Sequence, residues 1–469
     1  MVVPFRLQVE FDGAIIELIC SRVLRVLPGK RLICFGEWNG QHVLVKIFLN
    51  MRRGKHHCAR EERGVRALQN SGIKTPELMF KGVLMPDSTP VLGFQRIIPA
   101  RNLAEAWKQG EDGGQCSGMM IRVVALIADQ HKAGLKQEDL HPGNFLLSED
   151  DIYTIDGGAI DARQMGKSLS QENSLKNLGL FFAQFFPRFD HLIPEIFHVY
   201  IEKRGWSTQR GLFPRLMKEV RYFRNQRKSQ YLKKVYRECS AFVCKKTWCR
   251  FMVCDRRFYD ESMARFLDAP DTVIESGRLL KDGNSSTVAL VEVGGERMVV
   301  KRYNIKNARH ALKRCPRRSR AWVSWRNAHL LLFLGIRTPK PIVFFENRWG
   351  PLRSRAYFVT EYVDGIDAYD LFRSDGTMEN DREGLLEQFG ELLQLLADAS
   401  ISHGDFKATN FIVAREGLFL TDLDGMREHR SRSQFRPVFR RDCERLMKNW
   451  EGLTELTQQF RNRLSSLDL

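Results

Sequence analysis

One spacing of polar residues occurs twice in this chain of 469 residues, and it constrains the fold more than any other feature. In the first copy Asp139 precedes Asn144 by five positions, and Asp156 follows twelve positions later, at the end of a hydrophobic segment. The second copy repeats both distances 266 residues further along the chain, at Asp405, Asn410 and Asp422. Phosphoryl transfer requires these groups, because it uses a base for the attacking hydroxyl and two oxygen ligands for Mg2+. The repeat therefore predicts two phosphoryl-transfer units in tandem.

The start of the first half has the pattern of a small β-rich lobe. Strands are predicted over three segments separated by Pro28-Gly29 and Asn39-Gly40 turns, at residues 23–27, 31–35 and 42–48. Lys46 lies in the third strand, and a predicted helix over residues 60–70 carries Glu62. A kinase places a phosphate-gripping lysine and its orienting helix glutamate in this way. Residues 212–246 are predicted to be helical, as part of a large lobe.

The second half repeats this plan with one difference. Predicted strands cover residues 273–280, 287–293 and 297–303, and Lys301 lies in the last of them. Residues 301–345 contain twelve Lys or Arg and no Asp or Glu, so Lys301 has no helix glutamate within reach. Neither half has a glycine-rich phosphate loop. The second half has a turn at Asp282, Gly283, Asn284 and Ser285. This turn either binds phosphate in place of a glycine-rich loop or is a plain hairpin turn.

These patterns predict an α+β fold made of two tandem protein-kinase-like, bilobal domains. The predicted first domain covers residues 1–266, with a small lobe over about 1–100 and a large lobe over about 101–266. The second covers residues 267–469, with its small lobe over about 267–362 and its large lobe over about 363–469. The boundary is placed where a helical pattern stops at a proline and the second set of strands begins.

The charge of the chain favours an anionic partner. The net charge is +18 and the pI is near 9.6. Compatible partners are ATP, a phosphorylated or otherwise anionic glycolipid, an anionic membrane surface and an acidic protein. Nucleic acid is disfavoured, because no nucleic-acid-binding motif accompanies the charge. No apolar run approaches the roughly 20 residues that span a bilayer, and the N-terminus lacks a secretory signal. We therefore expect a cytoplasmic protein, peripheral at the inner membrane if its basic surface binds lipid.

Four segments of the chain resemble the lipopolysaccharide core kinases, bacterial enzymes that phosphorylate heptose or Kdo sugars of the inner core from ATP. These segments are DLHPGNFLL at 139–147, VVKRYN at 299–304, SWRNAH at 324–329 and HGDFKATNF at 403–411. The resemblance covers nearly the whole chain and is closer in the second half. It implies an ATP-dependent phosphotransferase that acts on a sugar hydroxyl of the lipopolysaccharide inner core, with ATP and Mg2+ as cofactors.

The resemblance assigns a role to each matching position. It implies that Lys46 and Lys301 grip nucleotide phosphates and that Asp139 and Asp405 are catalytic bases. It implies four magnesium ligands, Asn144, Asp156, Asn410 and Asp422. Lys407 is placed to contact the phosphoryl group as it is transferred, whereas the first copy has His141 at the corresponding position. The second copy also has His403 where the first has Gln137, so we expect the second unit to be the principal catalyst.

Two other classes of function remain open at this point. The DLHPGN segment alone also resembles the ubiquinone-biosynthesis kinase-like family and the aminoglycoside phosphotransferases, which would mean a kinase-like protein of other substrate. In the other class, one or both units are pseudokinases that serve as a scaffold. The basic run from Arg309 to Arg320 is either a solvated face or a site for phosphorylated glycan or anionic lipid.

Overall fold

The structure, a computed structural model, describes residues 3–110, 116–149, 151–207, 211–304, 317–373, 382–450 and 454–465. The chain divides into two compact units, of which the first comprises residues 1–185 and 189–225 and the second residues 186–188 and 226–469. Both units combine helices with antiparallel sheets. Part of the predicted basic run, residues 309–316, lies outside the described residues.

The first unit begins with a β-rich part and continues with a helical part. In chain order its elements are β1 (Phe5–Phe11), β2 (Ala14–Leu27), β3 (Arg31–Trp38), β4 (Gln41–Ile47), α1 (Met51–Asn70), β5 (Leu78–Leu84), β6 (Thr89–Gln95), β7 (Arg101–Asn102), α2 (Leu103–Gly110), α3 (Cys116–Lys132), β8 (Lys136–Gln137), β9 (Phe145–Ser148), β10 (Asp151–Thr154), β11 (Ile160–Asp161), α4 (Gln171–Phe182) and α5 (Ile193–Arg204). Helix α6 (Leu212–Lys234) contains the division between the units.

Six strands of the first unit close into a barrel in the order β1-β2-β3-β4-β6-β5. Side chains alternate along a strand, so Val43, Val45 and Ile47 point into the barrel core and Lys46 points to the opposite face. Helix α1 is nine residues longer at its start than the predicted 60–70, and the three predicted strands lie almost wholly within β2, β3 and β4. The alternation on β4 is what delivers Lys46 to the site.

The helical part of the first unit packs around buried side chains that include Val124, Phe145, Phe181 and Tyr200. This core supports the loop between β8 and β9, which carries Asp139 and Asn144. The short strand β10 ends just before Asp156. The spaced polar residues therefore lie on loops that short, buried strands hold in place.

The second unit has a larger sheet and its own helices. Its elements are β12 (Phe242–Lys246), β13 (Arg250–Asp255), α7 (Glu261–Asp268), α8 (Pro270–Ser276), β14 (Arg278–Gly283), β15 (Ser286–Val293), β16 (Glu296–Tyr303), α9 (Arg320–Leu334), β17 (Pro341–Trp349), β18 (Leu352–Glu361), β19 (Gly365–Asp367), α10 (Ala368–Arg373), α11 (Arg382–Asp398), β20 (Ile401–Ser402), β21 (Phe411–Ala414), β22 (Gly417–Leu420), β23 (Arg427–Glu428), α12 (Arg432–Lys448) and α13 (Thr454–Ser465).

The second unit starts earlier in the chain than the predicted boundary at residue 267. Its seven-stranded sheet has the order β12-β13-β17-β18-β16-β15-β14, and β13 pairs with β17 through partners such as Cys254 and Val343. Residues 226–266 therefore belong to the second unit. The helix predicted up to residue 246 ends at Lys234, and the strand predicted from residue 273 is the end of α8 followed by β14. Strand β12 pairs with its chain neighbour β13 in a hairpin, whereas the second partner of β13, β17, lies far along the chain, so local patterns could not reveal that pairing.

Helix α9 packs on β17 and β18 and covers one face of this sheet. Trp325 is fully buried there, and its indole Nε1 donates a hydrogen bond to the Val235 carbonyl oxygen at 3.0 Å. Trp322 stacks on Tyr236 with ring centroids 4.6 Å apart. Both tryptophans therefore stabilise the core of the unit. Among the described helices, none combines the length and the apolar character needed to cross a bilayer.

Candidate active site

The second unit holds Asn410 on a short 3-10 turn between β20 and β21. The side-chain Nδ2 of Asn410 donates to the backbone oxygen of Asp405 at 2.8 Å, and the N–H of Thr421 donates to the backbone oxygen of Asn410 at 2.9 Å. These two bonds tie the catalytic-type loop to the strand end that carries Asp422. They also fix the side-chain amide of Asn410, so that its oxygen is the atom left to bind a ligand.

The first unit repeats these hydrogen bonds with the same lengths. Asn144 Nδ2 donates to the backbone oxygen of Asp139 at 2.8 Å, and the Ile155 N–H donates to the backbone oxygen of Asn144 at 2.9 Å. Asp156 and Asp422 share a left-handed backbone conformation, with φ of 66° and 57°. Non-glycine residues rarely adopt this conformation, and it is concentrated at functional sites. The sequence repeat is thus also a repeat of local geometry.

Lys301 of β16 finds its acidic partners at the strand end that carries Asp422. Its ammonium group contacts the carboxylate of Asp422 and lies 3.2 Å from Asp424 Oδ2. Asp424 also accepts a 2.6 Å hydrogen bond from Arg320, the first residue of α9. Lys301 has no helix glutamate as its partner, so Asp424 takes the place of that carboxylate. Helix α9 contributes a basic side chain, Arg320, instead of an acidic one. Arg320, expected within a basic run, is part of the site.

Charge and burial compete at this cluster. Burial would raise the pKa of the Asp422 carboxyl, but the charge and hydrogen bond of Lys301 outweigh burial and lower it. Burial would lower the pKa of Lys301, but Tyr303, Asp424 and Asp422 raise it. Both groups are therefore charged near neutral pH, as phosphate binding and metal binding require.

Asp405 lies between two cations. Its Oδ1 accepts a 2.7 Å hydrogen bond from Arg445 of α12, and its Oδ2 lies 3.0 Å from Lys407 Nζ. The side chain is about one-third exposed, so an acceptor hydroxyl can reach it. The sequence pattern predicted Lys407 but not Arg445, because α12 approaches the loop only through the tertiary fold. No local signal identifies Arg445.

His403 is a structural member of the loop. Its ring Nε2 is 2.8 Å from the Thr421 carbonyl oxygen, and its backbone N–H donates to Asp442 at 2.8 Å. Burial lowers the pKa of the His403 imidazole, so the ring is neutral near pH 7 and donates from Nε2. His403 therefore fixes the distance between the loop and the strand end of Asp422.

The predicted phosphate turn of the second unit is the tip of the hairpin between β14 and β15. Thr287 Oγ1 donates to Asp282 Oδ1 at 3.3 Å, and Asn304 Nδ2 donates to the Gly283 carbonyl oxygen at 3.3 Å. Asn284 and Ser285 form the turn itself. These contacts describe a closed hairpin, and a role of residues 282–285 in holding phosphate remains a proposal.

In the first unit the helix partner of Lys46 is Glu61, and the prediction of Glu62 is wrong. Glu61 is fully buried, contacts the Lys46 ammonium and accepts the Gly158 N–H at 3.1 Å. Glu62 faces away and pairs instead with Arg66 at 3.0 Å and Lys81 at 2.8 Å. Successive residues on a helix are about 100° apart, so one residue of error changes the face.

Helix α1 reaches this position through a glycine. A Cβ at Gly64 would lie 1.9 Å from the backbone oxygen of Gly157, so any other residue would push the helix away from the turn after Asp156. Gly64 thereby allows the contact of Glu61 with Gly158. The signal in the sequence was the helical spacing of small and apolar residues in α1, whose buried side includes Gly54, Cys58, Glu61, Val65 and Leu68.

The cleft of the first unit differs from that of the second in its basic groups. Arg31 of β3 lies 3.7 Å from Asp156 Oδ1 and 3.8 Å from Glu61 Oε2. Arg31 and Asp156 line a polar cavity of about 290 Å³ together with Asp139, whose side chain is 77% exposed. His141 Nε2 is 3.9 Å from Asp139 Oδ2. Among the described residues, Asp139 thus has no counterpart to the two close cations that hold Asp405.

The second unit offers a suitable donor set for magnesium. The oriented amide oxygen of Asn410 and the carboxylate of Asp422 are the oxygen ligands that this ion prefers. Among the residues that the structure describes, no three His, Cys, Asp or Glu side chains converge on a metal position. Magnesium would therefore need further ligands from nucleotide phosphates and water, as is usual for this ion. In the first unit Asn144 and Asp156 offer the corresponding oxygen ligands, and in both units a basic side chain lies beside the aspartate.

Comparison with known proteins gives a family match in the second half of the chain. Residues 265–466 match the sequence model of the Lipopolysaccharide kinase (Kdo/WaaP) family. No curated protein sequence matches the chain. Among solved structures, the PknI kinase domain (C20A mutant) of Mycobacterium tuberculosis is similar at 15% identity and a TM-score of 0.28, over 46% of this chain and 96% of that one. The family match covers every site residue found above in the second unit.

Proposed function

We propose, from the match of residues 265–466 to the Lipopolysaccharide kinase (Kdo/WaaP) family model, that this chain is an ATP-dependent kinase that phosphorylates a sugar hydroxyl of the lipopolysaccharide inner core. The observation that carries the proposal is that Lys301 contacts Asp422 and that Asn410 ties the loop of Asp405 to the strand end of Asp422, all within the matched segment. The acceptor in this proposal is an anionic glycolipid, and the net charge of +18 would favour peripheral contact with an anionic membrane face.

Each residue of the second unit has a defined task in this proposal. Asp405 orients the acceptor hydroxyl and accepts its proton at a carboxylate oxygen. Lys301 binds phosphate oxygens of the nucleotide, and Lys407 is placed for the phosphoryl group that moves. Asn410 and Asp422 would hold Mg2+, which supplies charge neutralisation on the phosphates. The protein therefore contributes mainly positioning and electrostatic stabilisation.

The first unit has a subsidiary role in the proposal. It has the same loop hydrogen bonds and the Lys46 to Glu61 pair, but Arg31 lies beside Asp156 and His141 replaces the lysine of the second copy. Asp139, Asn144 and Asp156 would support a weaker transfer or none. We therefore assign two kinase-like units, the second of which is the principal catalyst.

Phosphate transfer to a defined acceptor tests the proposed function. The purified chain would be incubated with ATP, Mg2+ and inner-core oligosaccharide from which phosphate has been removed with hydrogen fluoride. We expect a mass increase of one phosphate per oligosaccharide, and NMR of the product would identify the phosphorylated carbon. Omission of Mg2+ is the control. ATP hydrolysis without phosphorylated sugar, or transfer only to unrelated small alcohols, would refute the assignment of the acceptor.

A further inference from the structure

Helix α12 presents a basic face to solvent. Its buried side chains include Phe435, Phe439 and Leu446, which point into the core of the second unit. On the opposite side only one acidic residue, Glu444, is exposed. The exposed basic residues of this helix are Arg432, Arg436, Arg440, Arg441, Arg445 and Lys448, and we call this set the α12 basic face.

The same helix is tied to the catalytic loop from its inner side. The Asp442 carboxylate is buried and accepts the N–H of His403 at 2.8 Å and the N–H of Gly404 at 3.0 Å. One turn later, Arg445 donates to the Gly404 carbonyl oxygen at 3.2 Å and to Asp405 at 2.7 Å. The α12 basic face therefore leads directly to the residue proposed as the base.

Asp405 has more positive charge beside it than is needed to bind the neutral hydroxyl of an acceptor. Lys407, the residue proposed to contact the transferred phosphate, already lies 3.0 Å from Asp405. Arg445 adds a second cation whose side chain is half exposed, and both of its contacts use Nη1. The Nε and Nη2 donors are not needed for those contacts, and a guanidinium can bind a carboxylate or phosphate through two parallel hydrogen bonds.

We propose that the α12 basic face is the docking surface for the acceptor glycan, and that the acceptor carries a carboxylate or phosphate group next to the hydroxyl that Asp405 activates. The anionic group binds Arg445, and more distant anionic groups of the same glycan bind the rest of the face. This inference rests on the proposed function, because it assigns the acceptor side of the same site. It makes Arg445 the residue that selects charged acceptors over neutral ones.

The test combines binding with steady-state kinetics on the full chain. The probe is de-acylated inner-core oligosaccharide from cells that lack this protein, so that its acceptor hydroxyl is free. It is used in three forms, which are untreated, dephosphorylated with hydrogen fluoride, and reduced at its carboxyl groups. We expect Arg445→Gln to weaken binding of the untreated form and to raise its KM by roughly 10- to 100-fold. The KM for ATP should stay within about twofold. Arg415→Gln, on the exposed β21 to β22 turn, is the matched control and should leave all values unchanged.

The treated oligosaccharides identify the anionic group. Loss of affinity after dephosphorylation points to a phosphate, and loss after reduction points to a carboxylate. Equal affinity for all three forms, or no binding at all, would overturn the inference. A fall in kcat in Arg445→Gln with an unchanged acceptor KM would also overturn it, since Arg445 would then only position Asp405.

Two further outcomes separate this inference from its alternatives. Binding that depends on Arg445 without any phosphate transfer would refute the proposed function and leave the anionic docking surface standing. The second outcome comes from a measurement of binding to phosphatidylglycerol vesicles. If Arg440→Gln and Arg441→Gln weaken vesicle binding and leave oligosaccharide binding intact, the face is a membrane contact and the inference is overturned.

Discussion

The acidic partner of Lys46 shows what a single residue position decides. Glu61 and Glu62 are adjacent, and the distance along the chain from Lys46 does not distinguish them. The rotation of α1 about its axis distinguishes them, because Glu61 lies on the buried side of the helix and Glu62 lies beside the exposed Arg66 and Lys81. Spacing between motifs therefore predicted the correct helix and the wrong face.

Substitution of each glutamate measures this difference. Glu61→Gln removes the charge partner of a buried lysine and should destabilise the chain by about 3 to 5 kcal/mol. Glu62→Gln loses only contacts with exposed lysine and arginine side chains and should cost less than about 1 kcal/mol. Thermal unfolding of both variants beside the native chain gives the comparison. Equal losses of stability would contradict the assignment of Glu61.

At the scale of elements, the sequence predicted the strands and loops that carry the site residues and missed contacts that depend on distant partners. The strands around Lys46 and Lys301 and the loops that carry Asp139 and Asp405 follow from periodicity and motif spacing. The hairpin of β12 and β13 begins within the helix predicted over residues 212–246, and its place in the sheet depends on the pairing of β13 with β17 about 90 residues later. Arg445 was missed for the same reason, since α12 meets the loop only in the folded protein.

Helix α3 contains a buried histidine that makes the first unit sensitive to acid. His131 lies 2.7 Å from the Tyr200 hydroxyl and 3.0 Å from Asn177 Oδ1, and burial lowers its pKa to about 3. An unfolded histidine titrates near 6.5. Between these values the unfolded chain binds more protons than the folded one, so stability is present above pH 6.5 and is lost as pH falls toward 3.

Replacement of His131 should remove this dependence. We expect the native chain to lose up to about 1.4 kcal/mol per pH unit from this group below pH 6.5. His131→Gln should be less stable at pH 7.5 and should lose less on acidification to pH 5, because its amide does not titrate. Urea denaturation of the full chain at both pH values gives the difference, and His198→Gln, on an exposed face of α5, is the control. Parallel pH profiles for native and His131→Gln chains would contradict this account.

At the scale of the whole molecule, one hydrogen-bonded framework of asparagine and aspartate occurs twice, with different charges around it. Both units share the asparagine hydrogen bonds and the left-handed aspartate, which the sequence repeat made predictable. The charged side chains that surround each framework lie outside the repeated Asp–Asn–Asp motif. Arg31 enters the first cleft, whereas Asp424, Arg320 and Arg445 complete the second. The claim that follows is a division of labour, with catalysis in the second unit.

One paired measurement tests that claim most directly. Phosphate transfer from ATP to dephosphorylated inner-core oligosaccharide would be measured for Asp405→Asn and Asp139→Asn in the full chain. Asn410 contacts the backbone oxygen at position 405, so the loop is retained in Asp405→Asn and nucleotide affinity should be nearly native. We predict that Asp405→Asn lowers kcat by about 10²- to 10⁴-fold, the usual contribution of a general base, while Asp139→Asn stays within a few-fold of the native chain. Full activity in Asp405→Asn together with its loss in Asp139→Asn would contradict the account and make the first unit the catalyst.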